Sequence, residues 1–149
     1  MRSVHPLLFA FLLTARASAC ECIVSGTVSD AYEHSTVVVA AEAISTSTAL
    51  GPVKHGGDTM NGETQTVQWK VLESWKGLFV KGQTFETSTV VQCCMCGRSV
   101  VAGGLMLLFL DGTEPYKVST CGHTAELKEV LHEIPELHAL QSKHAANGA

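Results

Sequence analysis

The chain has 149 residues, 46% of them hydrophobic and 16% charged, with 10 Lys and Arg against 14 Asp and Glu for a formal net charge of −4. That length suffices for one domain with a real core. The acidic balance argues against a nucleic acid or an anionic membrane surface as partner.

Residues 1–19 read as an export signal. Arg2 precedes the apolar run Pro6–Leu13, and Ala17-Ser18-Ala19 supplies the small-residue pattern of a cleavage site. The run is too short for a permanent membrane helix, which needs about 20 apolar residues. Cleavage after Ala19 removes Arg2 and Arg16 and no acid, leaving 130 residues with 8 basic and 14 acidic side chains, a net of −6. The product expected is secreted, extracellular and without a membrane span. A lipoprotein signal is the nearest rival because the next residue is a cysteine, but Ala17 stands where such signals favour leucine.

Cleavage there makes Cys20 the first residue of the mature chain. Its free α-amine and its own carbonyl form a rigid bidentate metal ligand if a disulfide fixes the backbone. All six cysteines (Cys20, Cys22, Cys93, Cys94, Cys96 and Cys121) survive cleavage. An even count in an exported chain of this size reads as a disulfide framework whose pairing the sequence alone leaves open.

The elements expected after the signal are mostly strands. Thr36–Ala41 is a β-branched run, and Thr66–Val71 alternates so that Val67, Trp69 and Val71 share a buried face. Between them Ser45–Glu63 is rich in Ser, Thr and Gly with no hydrophobic period, and reads as a long exposed loop or a loosened hairpin. Phe85–Val91 and Leu105–Leu110 supply two more strands, the second apolar enough to be central, and Tyr116–Ser119 a shorter one. Gly77, Gly82 and Asp111-Gly112 mark turns. Several short strands with turn signals predict a mainly β fold, a small closed barrel. Toward the end Leu127, Val130, Leu131, Ile134, Leu137 and Leu140 fall at helical spacing, with Pro135 expected to kink or split the helix.

The opening Cys-x-Cys, a β-branched strand, the Trp75-Lys76-Gly77 turn, the Cys96-Gly97 pair, an apolar strand and Ser119-Thr120-Cys121 before a helix together resemble the tissue inhibitors of metalloproteinases and their netrin-like relatives. The resemblance covers about residues 20–127. It implies a five-stranded oligonucleotide/oligosaccharide-type barrel, stapled by disulfides, between the signal at 1–19 and a helical tail at 128–149. It also implies that Cys20 pairs with Cys96 and Cys22 with Cys121, each bridge worth up to about 4–5 kcal/mol by the chain-entropy account. A third bridge of the family is absent, because Ala31-Tyr32-Glu33-His34 carries no cysteine where it would begin.

The activity implied is inhibition of a zinc metalloendopeptidase, the partner in trans. The amine nitrogen and carbonyl oxygen of Cys20 would displace the water on the protease's catalytic zinc. The next residue would enter the protease's first primed-side pocket. In the family it is usually Thr or Ser and here it is Glu21, whose carboxylate loses several kcal/mol of hydration in an apolar pocket. A second reading keeps the fold as a secreted binding or structural module without protease inhibition.

Cys93 and Cys94 stand apart. With Cys96 they form Cys-Cys-Met-Cys, whose Cys93-x-x-Cys96 spacing suits a redox dithiol, half a zinc knuckle or, with Met95, Cu(I). Structural use or exchange among the three is the plainer reading, since no second Cys-x-x-Cys exists. His34, His55, His123, His132, His138 and His144 are scattered without the i, i+4 spacing of a helical zinc site, and read as solvated. No nucleophile elbow, phosphate loop or acid/base pair points to an enzyme, and no resident cofactor is expected.

Overall fold

The computed structural model describes residues 26–55, 57–91 and 96–147. In chain order they form helix α1 (Val28–His34), strands β1 (Val37–His55), β2 (Asp58–Lys76), β3 (Thr84–Val90), β4 (Leu105–Leu110) and β5 (Ala125–Glu126), two short 3-10 turns, and helix α2 (Ile134–Asn147). The strands make one antiparallel sheet in the order β3-β2-β1-β4-β5.

The central strands are buried on both faces, which is why they read as unbroken apolar runs. Val37, Val39, Ala41 and Ala43 of β1 join Met106, Leu108 and Leu110 of β4 in one cluster, completed by Val67, Trp69, Val71 and Phe85. Trp69 lies at its centre, and its indole N–H donates to the Thr87 hydroxyl at 2.9 Å. The alternate residues Val38, Ala40, Leu107 and Phe109 point the other way, against Tyr32 of α1 and Leu137 and Leu140 of α2. Both helices therefore cover the same face of the sheet.

The expected closed barrel is not what forms. β3 and β5 are the two edges of the sheet, and the expected strand Tyr116–Ser119 makes only isolated bridges, Thr87 to Tyr116 and Gly97 to Ser119. Pro115, which has no N–H to give a ladder, immediately precedes it. Side chains substitute for the missing strand pairing. The Gln65 amide bonds both backbone groups of Val100 at 2.9 and 2.8 Å, and the Val118 N–H donates to the Thr89 hydroxyl at 2.7 Å.

Of the two alternatives for Ser45–Glu63 the hairpin is the one that forms, paired along its length rather than loosened. β1 and β2 pair from Val38 opposite Lys76 out to His55 opposite Asp58. A ladder needs only backbone donors and acceptors, and side chains along the outer part of this hairpin are mostly exposed, so no hydrophobic period marks it.

Helix α1 had no counterpart among the expected elements. The Thr27 hydroxyl accepts the Asp30 N–H, and the Asp30 carboxylate accepts the Thr27 N–H at 2.9 Å, a reciprocal cap. At its other end Lys76 donates to the carbonyls of Tyr32 and Glu33 at 2.6 and 3.1 Å, a positive charge on the negative end of the helix dipole.

Pro135 splits the C-terminal region as expected, but by starting a helix. It stands in the first turn of α2, where a missing N–H costs nothing, and the 3-10 turns Leu127–Glu129 and Leu131–Glu133 precede it. Leu131, expected on the apolar face, is 59% exposed as a result. No helix of the described residues is long and apolar enough to cross a membrane.

Candidate functional site

Cys96 and Cys121 come together around Ser119. Both are disulfide-bonded. Their partners, together with the signal, Cys20, Glu21, Cys22, Cys93 and Cys94, lie outside the described residues, so the pairing and the zinc-binding and specificity roles expected of the N-terminus do too.

The two cysteines are joined through Ser119. Its hydroxyl donates to the Cys96 carbonyl at 3.4 Å and accepts the Cys121 N–H at 3.0 Å. The same Cys96 carbonyl accepts from the backbone N–H and the hydroxyl of Thr120 at 3.0 and 3.2 Å. Cys96 needs this support, since its φ of 54° is left-handed backbone that a residue with a Cβ seldom adopts. His123, at φ 59°, is the other such non-glycine residue among those described, and it lies two residues past Cys121. Two strained residues flanking one spot are held there by their surroundings, a pattern that accompanies functional sites.

Gly97 explains how closely this segment is packed. A Cβ there would run into the Val90 carbonyl oxygen, and would also sit 2.7 Å from the Thr89 methyl. The backbone at Cys96 is therefore pressed against the end of β3.

Two cavities flank the cysteines. One of about 370 Å³ has Gly26, Phe109, Asp111, Lys117, Cys121 and His123 in its wall, so Gly26, four residues past Cys22, shares a rim with Cys121. Another of about 470 Å³ separates Cys96 and Gly97 from Pro52, Val53 and Lys54 of the long hairpin. Lys117 lines both. Beside the first, the Asp30 carboxyl is held below its ordinary value by the N–H and hydroxyl bonds of Thr27.

The histidines do not converge here. His123 pairs with Glu133 at 3.2 Å, His138 with Glu73 at 3.3 Å and His144 with Glu33 at 3.3 Å, so two of them tie α2 to β2 and α1. His34 lines the first cavity, and His132 is exposed. Among the described residues no three His, Cys, Asp or Glu side chains form a metal site.

Ser119 and Thr120 stand in the Ser119-Thr120-Cys121 run, but their role in joining the two cysteines is not readable from residue type. Gly97 likewise follows a cysteine without disclosing what it packs against. Matched against protein-family models the chain fits none, and no curated protein matches it.

Proposed function

We propose that the protein is an exported netrin-like module that inhibits zinc metalloendopeptidases through the free α-amine and carbonyl of Cys20, with Glu21 selecting the target. The observation that carries this reading is the joining of two disulfide-bonded cysteines, Cys96 and Cys121, by Ser119 and Thr120 beside Gly26, which follows Cys22 by four residues. In the proposal Cys96 holds Cys20 and Cys121 holds Cys22, so that both anchors of the N-terminal segment rest on one hydrogen-bonded platform. A ligand fixed before binding loses little further freedom on the zinc.

The amine coordinates only when neutral. With an α-amino pKa of about 7.7–8.0, inhibition weakens as pH falls from 8 toward 6. Glu21 favours a protease whose primed-side pocket is basic or wet, and Glu21→Thr improves binding to one with an apolar pocket by at least about tenfold, since a desolvated carboxylate costs more than 1.4 kcal/mol.

The test compares mature chain beginning at Cys20 with the same chain carrying one extra N-terminal alanine, against a panel of zinc endopeptidases. Inhibition by the first and none by the second is the expected result. Equal inhibition by both rejects chelation, and inhibition by neither favours the binding module without protease inhibition.

A further inference from the structure

Trp75, the second-last residue of β2, is 2% exposed, and its buried indole N–H meets no hydrogen-bond partner. A buried donor left unsatisfied is costly, and a native structure seldom carries one without a use for it. The side chains clustered with Trp75, among them Val38, Leu107, Leu137 and Leu140, are almost all apolar. The one hydroxyl in the cluster, on Tyr32, is turned to the Trp75 carbonyl at 2.8 Å.

The group beside the indole that can accept is His138 of α2. Its ring meets Trp75 edge-on, with centroids 5.8 Å apart and planes at 75°. In the arrangement described, its Nε2 lies 3.3 Å from the Glu73 carboxylate instead. The side chains of His138 and Glu73 are each about half exposed, at 51% and 46%, so the imidazole has room to turn.

Protonation decides which partner His138 can serve. A neutral imidazole keeps one bare nitrogen that accepts an N–H, whereas the imidazolium has two donors and no acceptor. We infer that His138 is a proton-controlled fastening of α2 to the sheet: neutral, it turns to accept the Trp75 indole N–H, and protonated, it lets that donor go and takes the Glu73 carboxylate. The geometry described is that of the protonated state. Histidine is the side chain that ordinarily changes charge between pH 5 and 8. Above that range α2 is held here through a buried bond, and below it through an ion pair open to water.

The other titratable groups beside α2 are engaged elsewhere. On β2, Lys76 donates to the carbonyls of Tyr32 and Glu33. On α1, Asp30 is taken by Thr27 and Glu33 by His144, and His34 lines the first cavity. In the turn before α2, Glu133 pairs with His123 and lies 3.9 Å from His132.

The experiment follows the indole N–H resonances of the mature chain, labelled with nitrogen-15 at tryptophan, from pH 8 to pH 5. Trp69 and Trp75 are the two tryptophans of the chain, and Trp69, bonded to Thr87 at 2.9 Å, serves as the reference. The Trp75 resonance should stand downfield at pH 8 and move upfield through the histidine range while Trp69 holds still. In His138→Phe, which keeps a ring without an acceptor, and in His138→Ala, which cannot overpack, it should stay fixed throughout. Glu73→Ala should leave amide exchange along α2 unchanged at pH 8 and quicken it about two- to fivefold at pH 5, where the ion pair is the fastening. Far-UV circular dichroism establishes that each variant is folded. A Trp75 resonance that stays fixed in wild type, that moves in company with Trp69, or that still moves in the folded His138 variants overturns the proposal, as does a Glu73→Ala effect no greater at pH 5 than at pH 8.

Discussion

Replacing Gly97 by alanine tests whether close backbone packing fixes Cys96. The new methyl would collide with the Val90 carbonyl and come within 2.7 Å of the Thr89 methyl, and a backbone carbonyl cannot swing aside as a flexible side chain does. Overpacking of this kind costs about 1–3 kcal/mol. Moving Thr89 also strains the 2.7 Å bond it takes from the Val118 N–H, worth about 1 kcal/mol more. A loss of about 2–4 kcal/mol lowers a urea midpoint by about 1–2 M at a typical slope. Equilibrium urea unfolding followed by tryptophan fluorescence measures it, with Gly51→Ala as reference. Gly51 lies in the same sheet with nothing within 4 Å of an added Cβ, and alanine there should change stability by less than about 0.5 kcal/mol. If chelation is the activity, Gly97→Ala also loses inhibitory potency while its N-terminus stays intact. Equal midpoints for the two variants would refute the reasoning.

Trp69→Phe removes the donor to Thr87 and some buried volume, and should cost about 2–4 kcal/mol in thermal unfolding; a loss below about 0.5 kcal/mol would contradict the packing described. Leu137→Ala empties the fully buried contact of α2 with the sheet, at about 2–5 kcal/mol, and amide exchange should quicken most along α2. Asp30 is held below its ordinary value by its bonds to Thr27, so its contribution is present above the unfolded value and fades as pH falls through the folded one. Thr27→Ala should therefore flatten the acid limb of a stability–pH curve. Burial raises the Tyr32 phenol above its ordinary 10.0, so that contribution is complete below pH 10 and is lost as pH climbs through the higher folded value. Tyr32→Phe, which also removes the donor to the Trp75 carbonyl, should flatten the alkaline limb.

The parts of the fold legible in the sequence are those where burial imposes a period. Leu105–Leu110 forms a strand over the residues expected, and Val67, Trp69 and Val71 share the buried face their alternation implies. The outer hairpin is legible only as one of two alternatives, because its polar, mostly exposed side chains leave no period. α1 leaves little trace in the sequence because it is seven residues long, although Thr27-x-x-Asp30 carries its cap in plain sight. The failure of the barrel to close is not legible in Tyr116–Ser119, where the Thr89 hydroxyl takes up the Val118 N–H that a strand would have used. At the candidate site the cysteines are conspicuous in the sequence. The left-handed turn at Cys96 and the hydroxyl that links it to Cys121 depend on segments over twenty residues apart meeting in space.

Lys76 closes the far end of α1 from the last position of β2, with its ammonium also 5.0 Å from the centre of the Tyr32 ring. Tension applied at Gly26 would travel down a single short helix and be grounded in one of the two longest strands. The distal tip of the hairpin, at that strand's opposite terminus, bears none of it. Pulling on the amino end therefore loads the end of the sheet away from the hairpin tip.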